Sequence, residues 1–226
     1  MLDSIKGIFD YKHSFYEFMR KIGWVFLTSI IFFVTSIPIF TIGASLTAMY
    51  AVFFKLVQER EISLFKDYFG AFKKAFVRSI PVWILCLIVG AICYVDIAFF
   101  VGALKTFGTL GYVMLGIAII ITFVVLFFAI MIFPIMAEFE SNISDTFTLM
   151  RFIAKRHCKR CIWATVATII IMGFAIWIII KRAYLFIYFP VLSVGLNSLV
   201  LTYIYDSILR PYYEEDEELD EELERE

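Results

Sequence analysis

Apolar runs of bilayer-spanning length recur along this chain. They fall at Ile22–Pro38, Thr41–Val57, Ile80–Val101, Gly111–Ala137, Ile162–Ile180 and Ala183–Tyr205. A helix rises 1.5 Å per residue, so about 20 apolar residues cross a hydrocarbon core about 30 Å thick. Lipid offers the backbone no hydrogen-bond partner, so segments that cross it close their bonds internally, as helices. The chain is 62% hydrophobic and carries 26 phenylalanines. A soluble domain is only about 45–50% apolar, and 226 residues cannot hide such an excess in one water-exposed core. The expected fold class is all-α: a polytopic transmembrane helical bundle of about six spanning helices, with amphipathic interfacial helices on the cytoplasmic side.

Charge sets the expected topology. The last 13 residues, Glu214–Glu226, hold ten acids and one base, leaving 19 Lys+Arg against 11 Asp+Glu in the rest. Residues 1–213 therefore read as one transmembrane domain, and 214–226 as an acidic cytoplasmic tail without fixed structure. With the N-terminus inside and six crossings, the inner segments carry 17 of the 20 Lys+Arg; the outer ones hold only Lys105, Lys181 and Arg182. The positive-inside rule favours that arrangement, with both termini cytoplasmic and the chain in the cell membrane. Pro38 removes a backbone donor, and Gly43 is permissive just beyond it. Together they suit a tight outer turn at Ile39–Phe40. The second run could instead be re-entrant or continue the first helix. Residues 3–20 suit a surface helix. Trp24, Trp83 and Trp163 each follow a basic segment by three to five residues, as an interfacial belt requires.

Several features could carry function. Ile62, Phe65, Phe69, Phe72 and Phe76 are spaced 3, 4, 3, 4, one face of a helix, with Lys66, Lys73, Lys74 and Arg78 as its polar side. This is an interfacial helix gripping anionic lipid, and Phe65, Phe69, Phe72, Lys73, Lys74 and Phe76 are also the candidate docking residues for a partner. Gly43, Thr47 and Ala51, and likewise Ala44 and Ala48, stand four apart. Small residues at that spacing let helices approach closely in lipid, within the chain or in a homo-oligomer. Asp96 is the acid within an apolar run, and Asn197 lies near the centre of the last run with Ser193, Ser198 and Thr202 nearby. Intramembrane polar groups invite a functional reading, but interhelical hydrogen bonding is the blander explanation of both.

Other readings are negative. His157, Cys158 and Cys161 offer at most three ligands among repelling bases, whereas structural zinc needs four. No P-loop, HExxH, GxSxG or dinucleotide fingerprint is present. No catalytic residue, metal or cofactor is expected, and the basic loops point to lipid rather than nucleic acid.

The stretch Ile37-Pro38-Ile39-Phe40-Thr41-Ile42-Gly43-Ala44-Ser45-Leu46-Thr47-Ala48-Met49-Tyr50 resembles the hallmark of the YesL-like family, a domain of unknown function in Gram-positive bacteria. Phe65-Lys66-Asp67-Tyr68-Phe69 and Phe72-Lys73-Lys74-Ala75-Phe76, leading into Trp83, are similar to that family's next block. Ala44 departs from it, since members often carry proline there. The likeness covers roughly the first 100 residues. It implies a multi-pass membrane protein, often encoded beside carbohydrate ABC importers, with no catalytic residues to carry over. The expected role is a non-enzymatic accessory subunit contacting an importer's permease subunits. The alternatives are a small transporter or channel, or a membrane scaffold.

Overall fold

The structure is a computed structural model. It describes the backbone of residues 2–139, 143–181 and 188–223, and the side chains of 19–104, 108–139, 143–178, 180–181 and 191–210. Every regular element among these residues is helical: α1 (Leu2–Thr35), a short 3-10 turn (Ile39–Thr41), α2 (Ile42–Val57), α3 (Leu64–Glu138), α4 (Ile143–Arg156), α5 (Cys158–Lys181) and α6 (Tyr188–Leu223). Five stretches are long and apolar enough to cross a membrane: Ile39–Val57, Leu64–Leu104, Gly108–Glu138, Cys158–Ile178 and Val191–Arg210. Most of the first apolar run, Ile22–Pro38, lies in α1, and among the described residues it is not one of these five.

The chain reverses sharply after α1 because Pro38 cannot continue a helix. Thr41 repairs the break: its hydroxyl lies 2.6 Å from both Thr35 O and Pro38 O, and its backbone N–H also donates to Pro38 O at 2.9 Å. From there α2 enters the middle of the bundle. It packs on α1, α3 and α6, and its interface with α3 is the most extensive in the chain. Met49, Val52, Phe53 and Phe54 on α2 are fully buried.

α3 is two arms, Leu64–Leu104 and Gly108–Glu138. Gly108 joins them with φ 54° and ψ −130°, a conformation closed to residues with a side chain. The arms run antiparallel. Val82, Cys86 and Val89 on the first share one apolar cavity with Val125, Phe128 and Ile132 on the second. Trp83 and Phe133 pack with ring centroids 6.1 Å apart. Pro81 and Pro134 stand at the same level of this hairpin.

Three expectations are revised. Residues 3–20 do not form a separate surface helix but open α1, a single helix of 34 residues. Residues 61–79 are likewise not a separate interfacial helix, since Leu64 starts an arm that runs unbroken to Leu104. Its inward face is Leu64, Tyr68, Ala75, Ser79 and Val82, all buried. That face suits α2, which accepts small residues and a tyrosine whose hydroxyl donates to Ser45 O at 3.4 Å. Finally, α6 runs through the acidic stretch to Leu223 with no break at 214. Helix propagation adds one bond per residue once a nucleus exists, and Glu and Leu are good helix formers.

Candidate functional site

The polar residues concentrate at the end of the bundle where α1 and α6 leave the apolar region. Gln58, at the C-terminus of α2, donates through Nε2 to Glu138 Oε1 of α3 at 3.2 Å and to Asp206 Oδ1 of α6 at 3.0 Å. Asp206 is also 3.8 Å from Arg210, one turn on. Lys55 donates to Asp67 Oδ1 at 2.8 Å, and Asp67 Oδ2 accepts the backbone N–H of Ser63 at 2.8 Å, which fixes the start of α3. Lys21 of α1 reaches Glu59 at 3.1 Å. Five elements' ends are thus held through a few side chains, Arg160 of α5 adding a 3.5 Å bond to Ser207 O.

Two clefts flank the α2–α3 turn. One, about 270 Å³, is lined by Arg20, Lys21, Trp24, Glu59, Arg60 and Glu61. The larger, about 440 Å³, lies between α2, the start of α3 and the end of its second arm. Lys55, Arg60, Lys66 and Lys74 line it against Asp67 and Glu138, with Ala51, Phe54, Ala71 and Ala137 as apolar walls.

The candidate docking row is split. Phe65 is 67% and Phe69 48% exposed, and Lys73 and Lys74 are exposed beside them. Phe72 and Phe76 are half-buried, Phe72 stacked on Tyr68 with centroids 6.5 Å apart. The small residues of α2 all lie at its packed side: Gly43, Thr47 and Ala48 are buried and Ala51 half-buried. A Cβ on Gly43 would come 2.7 Å from Trp83 Cβ and 3.0 Å from Ser79 O, so no side chain fits there.

The two intramembrane polar candidates lie apart. Asp96 is exposed on the first arm of α3, and Lys105, close to it in sequence, lies outside the described side chains. Asn197 is 5% exposed on α6, and its Oδ1 has no hydrogen-bond partner among the described residues. Across the bundle several buried hydroxyls turn inward on their own helices, while Ser198, next to Asn197, bonds Tyr50 of α2. Thr28, Ser29, Ser45, Thr47, Ser79, Thr165 and Thr202 each donate to the carbonyl four residues back, at 2.7–3.0 Å. Such hydroxyls fill space without presenting donors to a path.

The Cys158–Cys161 pair holds nothing together: Cys158 is exposed and Cys161 buried. Burial, then the Arg160 and Arg156 charges, hold the His157 imidazole below its ordinary pKa. Among the described residues no three His, Cys, Asp or Glu side chains converge as metal ligands.

Trp83 also departs from its expected place. Its indole donates to Ile39 O at 2.8 Å, so it meets the α1–α2 turn rather than the basic end. Trp163 is the exposed one, at 72%. The roles of Gln58, Tyr68 and Asp206 escaped sequence reasoning. The available signal was Asp206 and Arg210 four apart on one helix.

Residues 21–97 match the model of a family described as "Protein of unknown function, DUF624". No curated protein and no solved structure matches the chain. The matched segment takes in the last part of α1, the Pro38 turn, α2 and most of the first arm of α3, the unit built around Gly43 and Trp83.

Proposed function

We propose that this chain is a non-enzymatic interaction subunit of the cell membrane, with its binding surface at the basic end of the bundle and both termini in the cytoplasm. The observation that carries the reading is the exposure of Phe65 and Phe69 beside Lys73 and Lys74 on the first turns of α3. Large aromatics flanked by cations, on a rigid helix, are what a protein interface uses as anchors. The resemblance of residues 37–50 to the YesL-like family, often encoded beside carbohydrate ABC importers, makes an importer's permease subunits the proposed partner.

A small transporter is the second reading, and the buried Asn197 favours it. Against it, seven buried hydroxyls of the bundle bond to their own backbones.

The partner assignment is tested by purifying the tagged chain from native membranes and identifying permease subunits by mass. Recovery with the wild type, and its loss with Phe65→Asp plus Phe69→Asp, is the expected result. Equal recovery from both would remove this surface from the account.

A further inference from the structure

We propose that a cleft of about 340 Å³ between α5 and α6, at the basic end of the bundle, binds the headgroup of an acidic phospholipid. Arg160, Trp163, Tyr203, Ile204 and Ser207 line it, and none of them belongs to the Phe65 and Phe69 surface. Arg160 supplies the charge. A guanidinium has five N–H donors, and the bond from Arg160 to Ser207 O is long, at 3.5 Å, with an uncharged acceptor. Among the described residues no carboxylate pairs with Arg160, nor with Lys155, Arg156 or Lys159 beside it. Asp206 of α6 is buried and bound to Gln58 and Arg210. Two more donors stand in the lining. The Trp163 indole N–H and the Tyr203 hydroxyl have no protein partner among the described residues, and both side chains are exposed. Donors without an acid call for a ligand made of charged acceptors, and the planar guanidinium suits phosphate oxygens.

The groove below the cleft selects a lipid over a soluble phosphate, because its chemistry changes with depth as a lipid's does. Arg160 meets Ser207, and Trp163 shares the cleft with Tyr203, so the two helices run antiparallel here. Away from the basic corner, Trp163, Ala167 and Ile170 follow Arg160 on α5 at helical spacing, and Tyr203 and Val200 follow Ser207 on α6. Trp and Tyr are amphipathic and settle at headgroup level. Ile170 and Val200, beyond them, are apolar and exposed. A headgroup held by Arg160 would lay its acyl chains along these two residues, which a free phosphate cannot use. A choline or ethanolamine head would instead set a cation beside Arg156, Lys159 and Arg160.

The test uses the whole chain in an uncharged detergent. Short-chain phosphatidylglycerol, phosphatidylcholine and inorganic phosphate are titrated separately, and thermal stability is followed to obtain apparent affinities. Phosphatidylglycerol is expected to give a saturable rise in Tm, with none from the other two. Arg160→Gln should weaken its binding about fivefold, one charge's worth. Trp163→Phe with Tyr203→Phe keeps both rings and removes both donors, and should also weaken it about fivefold or more. Lys66→Gln, which removes a charge from the start of α3 instead, should leave it unaltered. Arg160 and Lys66 are both exposed, so the fold should tolerate either change. An equal rise with inorganic phosphate would make this a soluble-anion site and overturn the proposal. So would an equal rise with phosphatidylcholine, no saturable rise with phosphatidylglycerol, or an affinity that Lys66→Gln lowers as much as Arg160→Gln does.

Discussion

Gly43 and Trp83 are in such close apposition that a Cβ on the glycine would fall 2.7 Å from Trp83 Cβ, and the Trp83 indole closes the contact by donating to Ile39 O at 2.8 Å. This pair fixes α2 against α3 and sets the α1–α2 turn at the level of Trp83. Gly43→Leu has nowhere to put its side chain; overpacking of this kind costs about 1–3 kcal/mol. We expect a lowered thermal midpoint in detergent, with Gly43→Ala milder. An unchanged midpoint for Gly43→Leu would show the two helices to be further apart than this.

Ala48 makes a similar demand about one and a half turns along α2, where it is fully buried among Val25, Met49 and Phe53. Ala48→Leu should again cost about 1–3 kcal/mol, and a thermal melt that does not move would place this face of α2 in lipid.

Gln58 joins three helices through two carboxylates. Gln58→Leu withdraws one hydrogen bond from each carboxylate, and a hydrogen bond to a charged group contributes about 1.5–3 kcal/mol. The expected outcome is lower stability with faster hydrogen exchange at the C-terminus of α2. Exchange indistinguishable from the wild type would show that the bonds carry no weight.

The helical bundle and its small-residue packing stripe were legible in the sequence, because apolar run length and four-residue spacing are local properties. Gly43, Thr47 and Ala48 needed no partner in view to be read as packing residues. The inward face of α3 was not legible. Which stripe of a Phe-rich helix turns inward depends on what α2 offers it, and α2 offers small residues that match Tyr68 and Ser79 rather than Phe65 and Phe69. The Gln58–Glu138–Asp206 junction spans 148 positions of sequence between Gln58 and Asp206, so no periodicity announces it. The continuation of α6 into the acidic stretch was missed for another reason. Composition describes the isolated segment, while a preformed helix supplies the nucleus that segment lacks.

Depth in the membrane is a further point where charge counting and geometry diverge. The first arm of α3 has 41 residues, about 61 Å of helix, roughly twice a hydrocarbon core. Trp83 lies near its middle, so the hairpin reaches about 32 Å beyond the level of Ile39. Lys73, Lys74 and Arg78 lie just before Trp83, and exposed charges at mid-core are costly. We expect a single cysteine at Thr109, in a background lacking the native cysteines, to react with an impermeant thiol reagent from outside, and one at Phe40 to stay protected. Reaction at both would put the α1–α2 turn on the outer surface, as the 17-to-3 division of bases suggests, and would require the hairpin to bend at Pro81 and Pro134.

The central claim is that the chain binds other components and does not itself move solute. Sugar uptake into liposomes containing only the purified chain measures this most directly. Uptake no faster than in protein-free liposomes is expected, and it should stay so when Asn197→Leu removes the one buried amide on α6. Robust uptake by the wild-type chain alone, abolished by Asn197→Leu, would contradict the claim and make α6 the wall of a transport path.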